Sequence, residues 1–226
     1  MSPDGRLGGH MFITFEGPDG CGKSTQARLL AQSLEKMGVD VLLTREPGGT
    51  EIGRKIRQII LSHTSEGMGP EAEALLYAAD RAQHVFEVLK PAMSAGKVVI
   101  SDRFVDSSYA YQAVALNVGM EAVKAANDIA VAGLKPDLTI LLDVDPQTGI
   151  GRVRRSRAGS NAEIDRIEAR DLEYHARVRK AYLDMAAMEP GRIRVVDAAG
   201  NSAEEVRAEV LEIVLGAVGI RQEGCK

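Results

Sequence analysis

A three-layer α/β fold, with one five-stranded parallel sheet flanked by helices on both faces, is what this 226-residue sequence predicts. Three observations carry that expectation. Five short strand-like runs alternate with longer helical stretches, which implies crossovers between parallel strands. The runs VLL, VVI, LTILL and IRVV are too continuously apolar for a sheet with one wet face, so both faces are buried. A glycine-rich segment, GPDGCGKS at 17–24, joins the first strand to the first helix.

The first strand, 11–16, runs directly into that segment, which fits the pattern G-x-x-x-x-G-K-[ST]. Gly17, Gly20 and Gly22 carry no Cβ, so the chain can turn tightly and gather several N–H groups on one anion. Pro18, Asp19 and Cys21 complete the loop, and the helix 24–37, with Ser24 and Thr25 in its first turn, adds the positive end of its dipole. In such a loop Lys23 reaches the β- and γ-phosphates of a nucleotide and the Ser24 hydroxyl ligates Mg²⁺. The second strand, 39–44, leads into TREPGGT at 44–50, then into helices 51–61 and 71–94. The third strand, 97–101, ends in Asp102-Arg103, followed by a helix at 120–132. The fourth strand is 138–143. Beyond it, RVRRSRAGSNA at 152–162 is dense in arginine and then small and polar, and reads as a mobile flap, or else as a solvated basic helix end. A helix at 163–187, a strand at 192–196 and a helix at 202–217 close the domain. The N-terminal MSPDGRLGGH has no apolar signal-peptide core and is expected to be a flexible tail (1–10), with a C-terminal tail at 219–226.

Composition excludes several classes of function. The chain is 45% hydrophobic and 27% charged with a net charge of −4, which argues against a general nucleic-acid binder. No stretch approaches the roughly 20 apolar residues of a membrane span. The two cysteines, Cys21 and Cys225, have no metal-ligand spacing, and a disulfide between them would hobble the loop, so a reducing cytosol is expected. Within the nucleotide-binding class, a GTPase would carry N-K-x-D, and none is present. A motor ATPase would end the third strand in Asp-Glu, with the Glu activating water. Here an arginine stands in that place, suited to neutralising phosphate during transfer to a second substrate. Asp102 is then expected to orient Mg²⁺ or its waters; a salt-linked turn is the other reading of the same dipeptide.

FEGPDGCGKST, TREPGGT, the helix LLYAADRAQ, the segment DRFVDSSYAYQ at 102–112 and DRIE at 165–168 closely resemble the thymidylate kinases of the bacterial type. The likeness runs from about residue 11 to about 215. It implies a P-loop nucleoside monophosphate kinase fold over 11–218, with a lid at about 150–163. It also implies the reaction ATP + dTMP → ADP + dTDP with Mg²⁺, in a cytoplasmic homodimer without nucleic-acid or membrane partners. In that family the aromatic ring at the place of Tyr77 stacks on thymine, and the arginine at the place of Arg81 donates to thymine O4. Asp19 corresponds to the carboxylate that takes the acceptor 3′-hydroxyl. Arg45 and Arg103 correspond to the clamp on its phosphate, and Tyr111 to the ring that crowds C2′. Ser107, Ser108 and Gln112 fall where the pyrimidine pocket is lined. Gly20 follows Asp19, so the lid must supply catalytic charge, from Arg152, Arg154, Arg155 or Arg157. Asp165 and Glu168 are expected to fix Arg103 or the acceptor phosphate by ion pairs. Asp197 and Ala198 fall where adenine is held by backbone contacts.

Glu46-Pro47 is a candidate cis bond. His10, His63, His84 and His175 lie outside every matched motif and receive no role. Apolar helices after 51, at 71–94 and at 120–132 are the expected dimer faces. Two other readings stay open on the residues: another nucleotide or nucleoside kinase of the same fold, and a regulatory module that binds ATP without transferring phosphate.

Overall fold

A computed structural model describes residues 11–158 and 164–218. The tails, and residues 159–163 of the expected flap, lie outside the described residues.

Five parallel strands, β1 (Phe12–Glu16), β2 (Val41–Arg45), β3 (Val98–Asp102), β4 (Leu138–Asp143) and β5 (Ile193–Asp197), form one sheet in the order β2-β3-β1-β4-β5. In β1, β3 and β4 the side chains alternate between two buried faces. The edge strands β2 and β5 are only partly covered, with Leu43 and Val195 exposed, so the burial on both sides expected of VLL and IRVV does not hold there. Ile13, Phe15, Val98, Ile100, Leu138, Ile140 and Leu142 pack with α1 (Lys23–Lys36) and, at the far end of the chain, α9 (Ala203–Val218). The opposite face, carrying Phe12, Val99, Leu141 and Ile193, meets the remaining helices. Thr14 and Thr139 share a 2.8 Å hydrogen bond on that second face, and fully buried Glu16 continues the polar row to the carboxyl edge. β1, the central strand, opens onto the phosphate loop, and the chain reverses its direction of travel across the sheet here. Ligands of open α/β sheets bind at such a switch point, beyond the carboxyl ends of the strands.

Helix α2 (Glu51–Leu61) is capped by Thr50, whose hydroxyl accepts from Gly53 N at 2.8 Å. It packs on α3 (Pro70–His84). The expected single helix 71–94 is interrupted: α3 passes through a π-helical turn at Val85–Leu89 into α4 (Lys90–Ser94). Pro91 has no N–H to give the carbonyl four residues back, and the wider turn accommodates it. A segment with no expected element, 105–115, is helical as α5 (Val105–Ser108) and a π-helical continuation, Tyr109–Ala115. α6 (Met120–Val131) follows and packs on α3.

The flap also differs from expectation. Its arginines lie on α7 (Pro146–Ala158), a helix opened by Asp145, whose carboxylate accepts from Thr148 N at 2.9 Å. The expected helix 163–187 begins only at Leu172, as α8 (Leu172–Met188), with Asp171 as its cap. DRIE forms a separate turn, in which Asp165 Oδ1 accepts from the N–H groups of Ile167 and Glu168 at 2.9 Å each.

Candidate active site

The carboxyl edge of the sheet holds a cavity of about 480 Å³, bounded by the phosphate loop, the 45–47 turn, α2, α3, α7 and the DRIE turn. The loop's glycines are fixed by what surrounds them. Gly20 takes φ +78°, and a Cβ there would lie 2.0 Å from the carbonyl oxygen of Gly149 on α7. A Cβ on Gly149 would in turn meet the Asp19 carbonyl oxygen at 2.4 Å. The phosphate loop and the arginine-bearing helix therefore touch backbone to backbone, and only glycine at both places allows it.

Lys23 is buried and donates to the carbonyls of Gly17 (3.0 Å) and Pro18 (2.8 Å). Cys21 is buried beside it, and burial raises its thiol pKa, which keeps it a neutral filler. The Ser24 hydroxyl donates to Asp102 Oδ2, so the two expected Mg²⁺-side oxygens are adjacent. Among the described residues no group of three or more His, Cys, Asp or Glu gathers to form a closed metal site. One hydroxyl and one carboxylate suit a hard cation that completes its shell with phosphates and water.

Arg103 is the centre of the expected acceptor side. Its backbone is left-handed (φ 75°), a conformation that costs a non-glycine residue about 1–2 kcal/mol. Three hydrogen bonds hold it there: Arg103 N to Phe15 O (2.9 Å), Ser101 Oγ to Arg103 O (2.7 Å), and Phe104 N to Glu16 Oε1 (2.8 Å). The side chain then reaches Asp19, pairing with Oδ1, while Nη1 donates to Ser107 Oγ at 3.1 Å. Tyr111 donates to Asp19 Oδ2 at 3.0 Å, and its ring lies 4.9 Å from the guanidinium. For Asp19, burial pushes the pKa up, but Arg103, then Lys23 and His175, outweigh it and hold it below the ordinary value. Beneath them Glu16 also accepts from Ser107 Oγ (2.6 Å) and Tyr182 OH (2.8 Å). Burial and then Asp106 push its pKa up to about 7.

A second cationic group lines the same cavity. Arg45 lies at the exposed end of β2, beside the cis Glu46–Pro47 bond. Arg57, on α2, donates to Pro47 O at 3.1 Å. Burial and then the charge of Arg45 lower the Arg57 pKa. Like charges held side by side at a cavity wall make an anion site. Tyr77 lines the same cavity, as do Ser107, Tyr111 and Gln112. Gln112 is fixed by Glu73 (3.1 Å), itself buried and paired with Arg166 (2.8 Å) and Arg170 (2.7 Å).

Several expected site residues lie elsewhere. Arg81 is 1% exposed and not part of the cavity wall. It donates to Glu46 (2.8 Å), Ser108 (2.8 Å), Asn127 and the Phe104 carbonyl (2.9 Å). Ser108 sits behind the wall with it. Asp165 and Glu168 line the cavity but do not pair with Arg103. That arginine is taken by Asp19, and Glu168 instead binds Arg157 at 2.8 Å. On α7, Arg152 and Arg157 face the cavity, whereas Arg154 and Arg155, on the other side of the helix, are exposed and away from it. Asp197 and Ala198 are outside the wall too, although Arg152 donates to the carbonyls of Ala198 (2.8 Å) and Ala199 (3.0 Å). Gly17, Pro18 and Cys21 shape the loop from behind.

Residues given no role by sequence include Glu16, Arg57, Tyr182 and His175. Only Glu16 carried a signal: a charged residue at an inward strand position immediately before a phosphate loop. The others act through contacts too distant in sequence for periodicity to reveal.

A family model described as thymidylate kinase matches residues 15–210. The thymidylate kinase of Nitratidesulfovibrio vulgaris (strain DP4) is 48% identical over 211 residues, covering 92% of this chain and 94% of that one. That of Trichlorobacter lovleyi is 46% identical over 211 residues, covering 93% and 99%. The crystal structure of thymidylate kinase from Ehrlichia chaffeensis matches with a TM-score of 0.73 and 32% identity, over 91% of this chain and 98% of that chain.

Proposed function

The chain belongs to the thymidylate kinase family, and on that premise we propose that it moves the γ-phosphoryl group of ATP to dTMP within the cavity above β1 and β3. One observation carries the assignment of the site. A phosphate loop and three guanidinium groups, Arg45, Arg57 and Arg103, line one cavity, with Arg103 tied to the loop through Asp19. Two polyanions fit end to end in that arrangement.

The donor triphosphate lies on the main-chain amides of 17–22 and the amino end of α1, with Lys23 leaving the loop carbonyls to meet its β- and γ-phosphates. Mg²⁺, held by Ser24 and through Asp102, supplies neutralisation of phosphate charge when bound. Tyr77 provides a ring face for the thymine and Gln112 a polar edge. Arg81 stands behind them and braces the wall through Glu46, Ser108 and the Phe104 carbonyl. Asp19 takes the 3′-hydroxyl, and Tyr111 crowds the 2′ position. Arg45, Arg57 and Arg103 grip the acceptor phosphate; forked donors match its oxygens better than lysine would.

An acceptor phosphate oxygen attacks the γ-phosphorus, forming one P–O bond as the bond to the bridging oxygen breaks and ADP leaves. The acceptor needs no strong general base, because a phosphate monoester with a second pKa near 6 is already a dianion at neutral pH. What remains is alignment, charge neutralisation and exclusion of water. Arg152 and Arg157, on the helix that touches the phosphate loop, provide cationic cover on the donor side.

The working form is a homodimer in the cytoplasm. Leu75, Phe86 and Ile129 support the dimer: they are 60%, 77% and 81% exposed on α3, the adjoining π-helical turn and α6, two helices that pack together and could offer a second copy an apolar face. No helix among the described residues is long and apolar enough to cross a membrane.

An acceptor panel tests the reading. With ATP and Mg²⁺, dTMP is expected to be turned over well ahead of dUMP, CMP and thymidine. Turnover of CMP without dTMP overturns it, as does ATP binding with no ADP formed from any monophosphate.

A further inference from the structure

His175 has no place in the roles above, yet it stands against the centre of the acceptor side. It lies on α8, one residue past Tyr174, and is 1% exposed. Neither ring nitrogen makes a hydrogen bond of ordinary geometry, the Glu168 backbone offering only a weak one, and so poorly satisfied a buried imidazole is rare and costly. Nδ1 is 4.0 Å from Asp19 Oδ2, too long for a hydrogen bond and within about 1 Å of one. The groups facing the ring are Asp19 from the phosphate loop, Arg170 and Asp171 from the turn before α8, the Glu168 carbonyl, and the Tyr174 ring at 5.4 Å.

The charge balance around Asp19 gives this gap a purpose. In the structure the carboxylate is neutralised by Arg103 on one oxygen and hydrogen-bonded by Tyr111 on the other. If Arg103 is to grip an acceptor phosphate, part of its donor set leaves Asp19. A carboxylate only 15% exposed is then short of a donor at the moment it must hold the acceptor sugar. We propose that His175 is a positioning residue for Asp19, closing to a hydrogen bond from Nδ1 to Oδ2 when Arg103 turns to the acceptor phosphate. The donor is a neutral imidazole protonated at Nδ1, and no proton is transferred. This inference rests on the assignment of Arg103 and Asp19 to the acceptor.

His175→Phe keeps the ring's volume and removes the donor; His175→Asn places an amide N–H where Nδ1 stood. We expect His175→Phe to raise KM for dTMP about tenfold or more, the weight of a hydrogen bond to a charged group. KM for ATP should stay within about twofold, and His175→Asn should recover most of the loss. In an Asp19→Asn background the same Phe substitution should have no further effect on KM for dTMP. An unchanged KM for dTMP, an equal rise for both substrates, or an undiminished effect in the Asp19→Asn background each overturns the proposal. If His175→Phe does not fold, ¹⁵N-histidine NMR of the unaltered protein decides: dTMP must shift His175 Nδ1 into the hydrogen-bonded range, and no shift overturns the proposal. Unaltered enzyme that fails to phosphorylate dTMP would overturn the functional assignment itself, whereas normal turnover with an unmoved His175 overturns this inference alone.

Discussion

Replacing Gly149 with alanine adds one methyl group at the contact between α7 and the phosphate loop. The new Cβ would sit 2.4 Å from the Asp19 carbonyl oxygen, where ordinary contact begins at 3.4 Å. The two backbones must therefore part by about 1 Å, the difference between those distances. Neither side is the free end of a flexible side chain, so the shift is carried into the loop amides or into α7. Overpacking of this kind costs about 1–3 kcal/mol in stability. A displacement of about 1 Å among groups that align reactants costs about 100-fold in rate, and that is the loss expected in kcat/KM for ATP. Gly151 supplies the control, because it lies on the same helix and a Cβ there meets nothing within 4 Å. Gly151→Ala should leave kinetics unchanged and stabilise the helix by up to about 1 kcal/mol. Steady-state ADP formation at varied ATP, with urea denaturation of both variants, reads the two effects separately. Gly149→Ala within twofold of the parent kcat/KM would refute the claim that this contact sets the loop.

Arg81→Ala should destabilise the protein by about 3–5 kcal/mol in urea, because it leaves Glu46 buried with only His84 opposite, at 2.9 Å; a loss under about 1 kcal/mol would show that the network is slack. Glu16 makes stability depend on pH. Its folded-state pKa, about 7, exceeds the ordinary 4.5, so the native protein holds the proton longer and loses stability as pH rises between those values. The loss attributable to Glu16 is roughly 3 kcal/mol at most, at 1.36 kcal/mol per unit. Glu16→Gln should flatten that slope between pH 5 and 8, and an unchanged slope would assign it to other groups. Phe86→Glu should shift the mass measured by light scattering to that of a single chain at micromolar concentration, while a mass unchanged from the parent would place the dimer contact elsewhere.

The sheet was legible because its three inner strands are buried on both sides. LTILL and VVI permit no wet face, and the observed strand bounds lie within two residues of the expected ones, with β4 matching at both ends. The phosphate loop was legible because glycine, lysine and serine at fixed spacing have few other uses. Helix boundaries were less so. Two start signals lie six residues apart, at Asp165 and Asp171, and both cap a turn; only the second opens a helix. Tyr109–Ala115 carries aromatic and small residues with no clear period, and its π-helical winding is set by packing on α8. The side-chain networks were the least visible. Tyr182 and Glu16 are 166 residues apart, and Arg166 and Glu73 are 93 apart, so only the closed fold reveals them. Arg81 shows the limit of spacing arguments. Its place four residues after Tyr77 aligns it with the pocket, but the carboxylate that binds it, Glu46, comes from the turn after β2.

The most direct test of the account is a crystal structure of the protein with ADP, Mg²⁺ and dTMP bound together. The thymine should lie against the Tyr77 ring, the acceptor phosphate among Arg45, Arg57 and Arg103, and the 3′-hydroxyl on Asp19. A pyrimidine seated away from Tyr77, or a phosphate turned from all three guanidinium groups, would contradict it.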